Sequence, residues 1–217
     1  MRTLVTYCRM ALLVVALLSI PIMAEAQVGS GVARERDSLI NLISQDTSRA
    51  RLAVLYYQLA EKYGKLGQYP KLMEAAEKAV SNSKSSKDYN TLCKTYMLLG
   101  QCYVMADDAV NAIQSYLSAR GALEKKYNED NKTYRNKQIE NGVAENQLKD
   151  LQRSKTDTEL EADIDVKIGM VYFNRGHYSH SIDNFSDALI SYESIGADDK
   201  ALNMKRHLAI SYYMRGN

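Results

Sequence analysis

One pattern recurs four times along the chain and constrains its fold more than any other feature. In each copy an aliphatic residue precedes Gly or Ala, and a Tyr comes three residues after that small residue. The copies are YYQLAEKYGKLGQY (56–69), YMLLGQCYVMADDA (96–109), DVKIGMVYFNRGHY (165–178) and KRHLAISYYMRGN (205–217). A Gly follows the Tyr by four in three copies, and Asp107 stands there in the second. This spacing predicts a helix with a small residue and a tyrosine on one face, ended by glycine.

A second helix is predicted after each of the first three copies. Ala112, Tyr116 and Ala119 follow the second copy at spacings of four and three, and the other two copies are followed by the same spacing. Small and large residues at that spacing form one packing stripe of an amphipathic helix. The small residue of the first helix would let a neighbouring helix approach closely. The residues that carry this repeat signature are Ala60, Tyr63, Gly67, Gly100, Tyr103, Ala112, Gly169, Tyr172, Gly176, Ala188, Ala209 and Tyr212.

The composition agrees with a mostly helical chain. Only two of the 217 residues are proline and 11 are glycine. The 28 Lys and Arg residues nearly balance the 26 Asp and Glu residues, so no strong field would attract nucleic acid or acidic lipid. We therefore predict an all-α fold with no nucleic-acid partner.

The repeat resembles the tetratricopeptide repeat (TPR), a helix–turn–helix unit, over about residues 50–126 and 160–217. The resemblance implies helix pairs stacked into a right-handed superhelical array that binds proteins and performs no catalysis. The small residues are 40, 69 and 40 positions apart, longer than the family's basic period of about 34 residues. These longer spacings predict helices that are longer than those of the basic repeat.

The N-terminus has the features of an export signal. Arg2 and Arg9 form a basic start, ALLVVALLSIPIMA is apolar, and AEA fits the small-x-small cleavage rule, so cleavage is expected after Ala26. An uncleaved anchor is the alternative, and no other membrane span is expected. The predicted organisation is a signal peptide at 1–26, a flexible leader at 27–37, a capping helix with TPR-like repeats at 38–126, a polar helical insert or decayed repeat at 127–160, and TPR-like repeats at 161–217 with the last incomplete.

Two further boundaries follow from local signals. Asp46 or Thr47 is expected to cap the first repeat helix, and Asp198 or Asp199 to start the last one. The last unit ends after its first helix, and a stacked array needs a polar cap. We therefore expect a longer protein, the alternative being that another chain covers that end.

His177 and His180 raise the question of a metal site. With Asp183 they form a His-x-x-His-x-x-Asp spacing, although polar residues in a turn are the favoured explanation. Cys93 and Cys102 fall on opposite faces of one helix and are predicted to be small core residues. Because no phosphate loop, nucleophile elbow or His-Glu-x-x-His is present, we expect no enzyme, no cofactor and no metal.

In TPR arrays the first helices line a concave groove, and the resemblance carries its lining positions onto this chain. They are Tyr57, Met97, Gln101, Met105, Met170, Phe173, Asn174, Arg206, His207 and Tyr213. Methionine, aromatic and hydrogen-bonding side chains suit an extended peptide or a partner helix. Packing inside the array is the alternative for Met97, Met105 and Met170. The Lys/Asn carboxylate clamp of some relatives is not matched, because Tyr57 and Glu61 occupy its first positions.

The segment RERDSLINLISQDTSRARLAVLYYQLAEKY resembles the start of exported repeat regions in bacterial sensor histidine kinases and related regulators. In these proteins a membrane helix and a cytoplasmic kinase or DNA-binding domain follow the repeats. The resemblance implies a sensory input region that is exported to the periplasm, or is otherwise extracytoplasmic, and tethered through a segment beyond residue 217. The alternatives are a free-standing periplasmic scaffold for envelope assembly or secretion, and a metal-binding repeat protein.

Overall fold

The computed structural model describes residues 30–216. The predicted signal peptide at 1–26, the first residues of the predicted leader and Asn217 lie outside the described residues. Within 30–216 the regular structure consists of eight α-helices and one short 3-10 helix, Glu145–Gln147. Helix α1 covers residues 30–45. The others are α2 (Arg49–Lys65), α3 (Tyr69–Ser86), α4 (Tyr89–Met105), α5 (Ala109–Glu140), α6 (Lys155–Asn174), α7 (Tyr178–Ile195) and α8 (Asp198–Gly216).

The helices form an all-α array of pairs, as predicted. Helices α2 and α3, α4 and α5, and α6 and α7 are the three pairs, and α8 packs against α7. Each pair joins the next through its second helix, α3 to α4 and α5 to α6. Leu39 of α1 is buried with Leu59 and Leu72 of the first pair. No helix within residues 30–216 is long and apolar enough to cross a membrane.

Two small residues of the repeat, Gly100 and Gly169, lie at close helix contacts, as the spacing predicts. A Cβ atom added at Gly100 would lie 2.5 Å from the ring of Tyr116, and one added at Gly169 would lie 2.7 Å from the ring of Phe185. Both rings come from the second helix of the same pair, and both are buried. Close helix contact around a large ring therefore depends on glycine in the facing helix.

The turns between paired helices use the left-handed backbone region. Gly67 has φ 67° and Gly176 has φ 75°, which glycine adopts without a Cβ penalty. Asp107, at the matching position of the second pair, has φ 59°. The second pair therefore keeps the same turn with a residue that adopts it less readily.

Two predicted segments differ in the structure. Residues 30–37 are helical rather than a flexible leader, because they belong to α1, which buries Leu39 on the first pair. The predicted polar insert at 127–160 is not one helix or a separate repeat. Its first part continues α5 to Glu140, its last part begins α6, and the segment between is irregular apart from the 3-10 helix.

The irregular segment lies along the extension of α5. We call residues 148–154 the strap. The backbone N–H of Leu151 donates to Asn131 Oδ1 at 2.7 Å, and the Tyr127 hydroxyl donates to the Leu151 carbonyl at 2.8 Å. Arg153 lies over the Tyr127 ring at 4.8 Å and pairs with Glu124. Polar contacts thus hold a segment that has few apolar side chains to bury.

Helix starts agree in part with the prediction. Helix α8 begins at Asp198, as expected. The N-cap of α2 is Ser48, whose hydroxyl accepts from the Arg51 N–H, rather than Asp46 or Thr47. Asp46 instead accepts the Ser48 N–H at 2.8 Å. The carboxylate therefore supports the capping residue and does not cap the helix itself.

Candidate functional site

All the predicted groove residues lie on the first helices α2, α4 and α6 and on α8. Tyr57 on α2 is half-buried, and its hydroxyl donates to Glu61 Oε1 at 2.8 Å. Burial, and then this hydrogen bond, raise the pKa of Tyr57 well above its ordinary value. Tyr57 is therefore a neutral hydroxyl already engaged within its own helix.

The three predicted methionines divide between packing and exposure. Met97 is partly buried against the core shared by α4, α5 and α6, and Met170 against the core shared by α6, α7 and α8. Met105, at the end of α4, is 59% exposed. Packing therefore accounts for Met97 and Met170, whereas Met105 remains available to a partner.

The remaining positions on α4 and α6 are mostly open. Gln101 and Asn174 are exposed. Phe173 is half-buried and meets the ring of Tyr178 edge-on, with centroids 5.4 Å apart. Of these three side chains, the fold engages only Phe173 in packing between paired helices.

On α8 the predicted positions form two groups. His207 packs against Phe185 with ring centroids 5.2 Å apart. Arg206 is exposed and donates to Asn203 Oδ1 at 3.3 Å, and Tyr213 is 71% exposed. His207 thus helps to join α8 to α7, while Arg206 and Tyr213 face solvent.

The two histidines flank a repeat tyrosine. His180 stacks on Tyr172 at 4.9 Å, and His177 meets the same ring at 6.3 Å. Among residues 30–216 no group of three or more His, Cys, Asp or Glu side chains has the geometry of a metal site. Asp183 therefore does not complete a ligand set with the histidines, and aromatic contact describes the pair in this structure.

The two cysteines among residues 30–216, Cys93 and Cys102, are both buried. Cys93 is completely buried, and burial raises the pKa of its thiol to about 11. Burial also raises the pKa of Cys102. A thiol with a raised pKa has little thiolate at neutral pH, so neither residue has the character of a nucleophile.

A cleft that the sequence did not predict opens at the turn edge between the second and third pairs. We call it the edge cleft. It encloses about 610 Å³, and its lining includes Asp107, Asp108, Val110, Ile113, Tyr172 and Arg175. A smaller pocket beside it is lined by Val104 and by the predicted groove residue Asn174. The edge cleft therefore adjoins the end of the predicted groove.

An ion pair connects the two sides of the edge cleft. Arg175 Nη2 donates to the backbone carbonyl of Asp107 and, at 2.7 Å, to its carboxylate Oδ1. Asp108 accepts from the Asn111 side chain and, at 3.1 Å, from the Asn111 N–H. These hydrogen bonds, aided by the charge of Arg175, lower the pKa of Asp108. Asp108 is therefore charged at neutral pH.

The signal that could have identified the cleft was present in the repeat comparison. Asp107 stands where the first and third copies have glycine, whereas the exposure of the neighbouring Val110 is known only from the structure. The spacing of the repeats could not show the cleft, because it depends on how two pairs of helices sit against each other.

No protein-family model matches the chain, and no curated protein matches it. Among solved structures, the chain is similar to the crystal structure of BtubC (BKLC) from P. vanneervenii, with a TM-score of 0.60 and 16% sequence identity. The match covers 88% of this chain and 67% of that chain. At this identity the likeness concerns the helical fold alone.

Proposed function

We propose that the protein is a non-catalytic interaction module whose first helices bind a protein or peptide partner. The observation that supports this function most directly is the exposure of large side chains at predicted groove positions. Met105 and Tyr213 remain mostly exposed, although α4 packs against α3 and α5, and α8 packs against α7. Exposed methionine and tyrosine side chains are well suited to partner binding, because methionine adapts its shape and tyrosine combines apolar area with a hydroxyl.

We further propose that the module is exported and is the sensory input region of a histidine kinase or a related regulator. The basic, apolar and small-residue segments at the N-terminus support export. The resemblance of the segment before and within α2 to sensor regions supports the signalling assignment. A free-standing periplasmic TPR scaffold for envelope assembly or secretion is the competing function.

Site-specific photocrosslinking in cells tests the groove. A photoreactive phenylalanine analogue placed at Met105 or at Tyr213 should give discrete adducts with one partner. The same analogue at Ile190, an exposed residue on the second helix α7, is the matched control and should give none. Equal adducts at all three positions, or none at any, would contradict the groove proposal.

The identity of the adduct separates the two cellular roles. An extracytoplasmic signal protein or peptide supports the sensor, whereas components of secretion or envelope assembly support the scaffold. Mass spectrometry of the purified protein tests export independently. The mature chain should begin at Gln27, and retention of Met1 in all molecules would contradict cleavage at the predicted site.

A further inference from the structure

We propose that the edge cleft is a second binding site, which takes a peptide segment with an aliphatic side chain next to a lysine or arginine. The site lies where α4 turns into α5 and where α6 ends, whereas the proposed groove runs along the first helices. It therefore goes beyond the proposed function and stands on its own residues.

The cleft exists because the second and third pairs meet differently from the first and second. Helix α2 packs directly on α4, whereas the backbone of α6 approaches mainly α5 and α7. The end of α6 and the α4–α5 turn are consequently joined by the Arg175–Asp107 ion pair, with the cleft beside it. The space thus follows from helix placement rather than from one missing side chain.

The floor of the cleft is apolar. Ile113, Val171 and Tyr172 belong to or pack against the core shared by α4, α5 and α6. Val110 extends this surface into solvent and, at 78% exposed, is more exposed than any other large apolar side chain among residues 30–216. A cleft of this size and character is within the usual range of ligand sites, and covering Val110 would remove apolar area from water.

The rim selects the charge of the occupant. Asp107 and Asp108 contribute two carboxylates and Arg175 one guanidinium, so these three side chains leave the rim with an excess negative charge. The Asp107 side chain is 91% exposed although Arg175 contacts it, which leaves carboxylate lone pairs free to accept further hydrogen bonds. An anionic group would meet this excess negative charge, whereas an ammonium or guanidinium group next to an apolar side chain matches both parts of the cleft.

The backbone at Asp107 provides a separate argument. A non-glycine residue with positive φ is uncommon, and the first and third pairs use glycine at this turn. Residues held in sparsely populated conformations are concentrated at ligand sites. The second pair retains a carboxylate at a place where glycine would relieve the backbone.

Fluorescence anisotropy with labelled synthetic peptides tests the proposal on the mature chain. The probes are three seven-residue peptides that differ only in their central residues, which are Leu-Lys-Leu, Leu-Glu-Leu or Ser-Lys-Ser. We expect the Leu-Lys-Leu peptide to bind with Kd on the order of 100 µM, and each of the others at least about tenfold more weakly. Equal affinity for the three peptides, or no binding of any up to about 1 mM, would overturn the proposal.

Variants identify the site. Asp107→Lys should weaken binding of the Leu-Lys-Leu peptide at least about tenfold and strengthen binding of the Leu-Glu-Leu peptide. Val110→Ser should weaken binding of the Leu-Lys-Leu peptide several-fold. Ile190→Ser, at an exposed position on α7, should leave binding of this peptide unchanged. Asp107→Gly keeps the turn and removes the carboxylate, so it should bind weakly without loss of stability. Binding that none of the cleft variants changes would contradict this location.

One further variant keeps this proposal separate from the groove. Tyr213→Glu alters the proposed groove on α8, which contributes no side chain to the edge cleft. We expect it to leave peptide binding unchanged. If Tyr213→Glu abolishes peptide binding while Asp107→Lys does not, the peptide binds in the groove and the edge-cleft proposal is wrong.

Discussion

The two junctions between successive helix pairs use opposite chemistry at matching positions. In the first junction, between α3 and α4, Val80 and Tyr96 pack against the apolar cores on both sides. In the second, between α5 and α6, the repeat places Arg120 and Asp165 at those positions, and they form an ion pair. A shared repeat spacing therefore does not impose shared interface chemistry.

The ionic junction carries a desolvation cost that the apolar junction avoids. The Asp165 side chain is 7% exposed and that of Arg120 is 37% exposed. The Arg120 Nε atom is buried without a hydrogen-bond partner among the described residues. A buried ion pair contributes little net stability, although removing one partner costs much more than replacing both. The second junction is therefore sensitive to single substitutions and tolerant of a matched exchange.

Three further features lie at or beside the second junction. The α4–α5 turn of its first pair contains Asp107 instead of glycine, the edge cleft opens beside this turn, and the strap lies along the extension of α5. The comparison suggests that the first junction mainly holds the array together. The second combines that role with a binding surface.

The largest expected effect on stability comes from substitution of Gly100, which occupies in the second pair the repeat position that Ala60 occupies in the first. Gly100→Leu should reduce the free energy of unfolding by about 3 kcal/mol, because even a Cβ would lie 2.5 Å from the Tyr116 ring. Urea unfolding measures this loss of stability. Gly121→Leu is the matched control, because a Cβ there meets nothing within 4 Å, and it should be neutral or stabilising. Similar losses in both variants would show that contact with the Tyr116 ring is not the cause of the loss in Gly100→Leu.

The next effect tests the ionic junction. Arg120→Val should reduce stability by about 2 kcal/mol, because it leaves the Asp165 carboxylate buried without its partner; the partial exposure of Arg120 moderates the loss. The double variant Arg120→Val with Asp165→Tyr introduces the residues of the first junction and should restore at least wild-type stability. Urea unfolding of both single variants and the double variant gives the coupling energy. If the double variant loses as much stability as the two single variants together, the proposed difference between the junctions is wrong.

A smaller effect is expected at the turns. Asp107→Gly should raise the free energy of unfolding by about 0.5 kcal/mol, because relief of the left-handed conformation exceeds the loss of an exposed ion pair. Gly67→Ala should instead lower it by about 1 kcal/mol, because a Cβ is introduced at positive φ. Thermal unfolding distinguishes the expected gain of stability in Asp107→Gly from the expected loss in Gly67→Ala. A loss of stability in Asp107→Gly would mean that the Arg175 contact is the larger contribution.

The smallest effect concerns the strap. Hydrogen bonds from Asn131 and Arg135 lower the pKa of Asp150 below its ordinary value. The ionised Asp150 carboxylate therefore stabilises the strap fully above its ordinary pKa, near 4. This stabilisation is lost as the pH falls through the lowered pKa. We expect the protection factor of the Leu151 amide, measured by hydrogen exchange, to fall in this pH range. The protection factors of the amides in α4 should remain high. Asp150→Asn should remove this pH dependence, and an unchanged profile would contradict the assignment.

The sequence was sufficient for the first helix of each pair and for its pairing with a second helix. The small residues at 60, 100, 169 and 209 and the tyrosines three positions later predicted the first helices, and Gly67 and Gly176 predicted their ends. These features are local, because helix periodicity and left-handed turns depend on residues within a few positions of one another. The flexible leader was wrong over residues 30–37, since burial of Leu39 depends on a distant surface.

The candidate sites were less predictable. The family resemblance predicted that Met105 and Tyr213 would face a groove, and their exposure is compatible with that hypothesis. It could not separate them from Met97 and Met170, which pack against cores. Exposure of a methionine depends on which neighbouring helices approach it, and the spacing within one helix does not contain that information.

By itself, then, the sequence determined an all-α array of helix pairs, because each pair is built from short-range spacing. Only the tertiary structure decided that the second junction is ionic, that α5 runs on to Glu140 and that a cleft opens between Asp107 and the end of α6. Each of these depends on the placement of segments far apart in the chain. Asp107 and Arg175, 68 positions apart, meet only when α6 is packed beside α5.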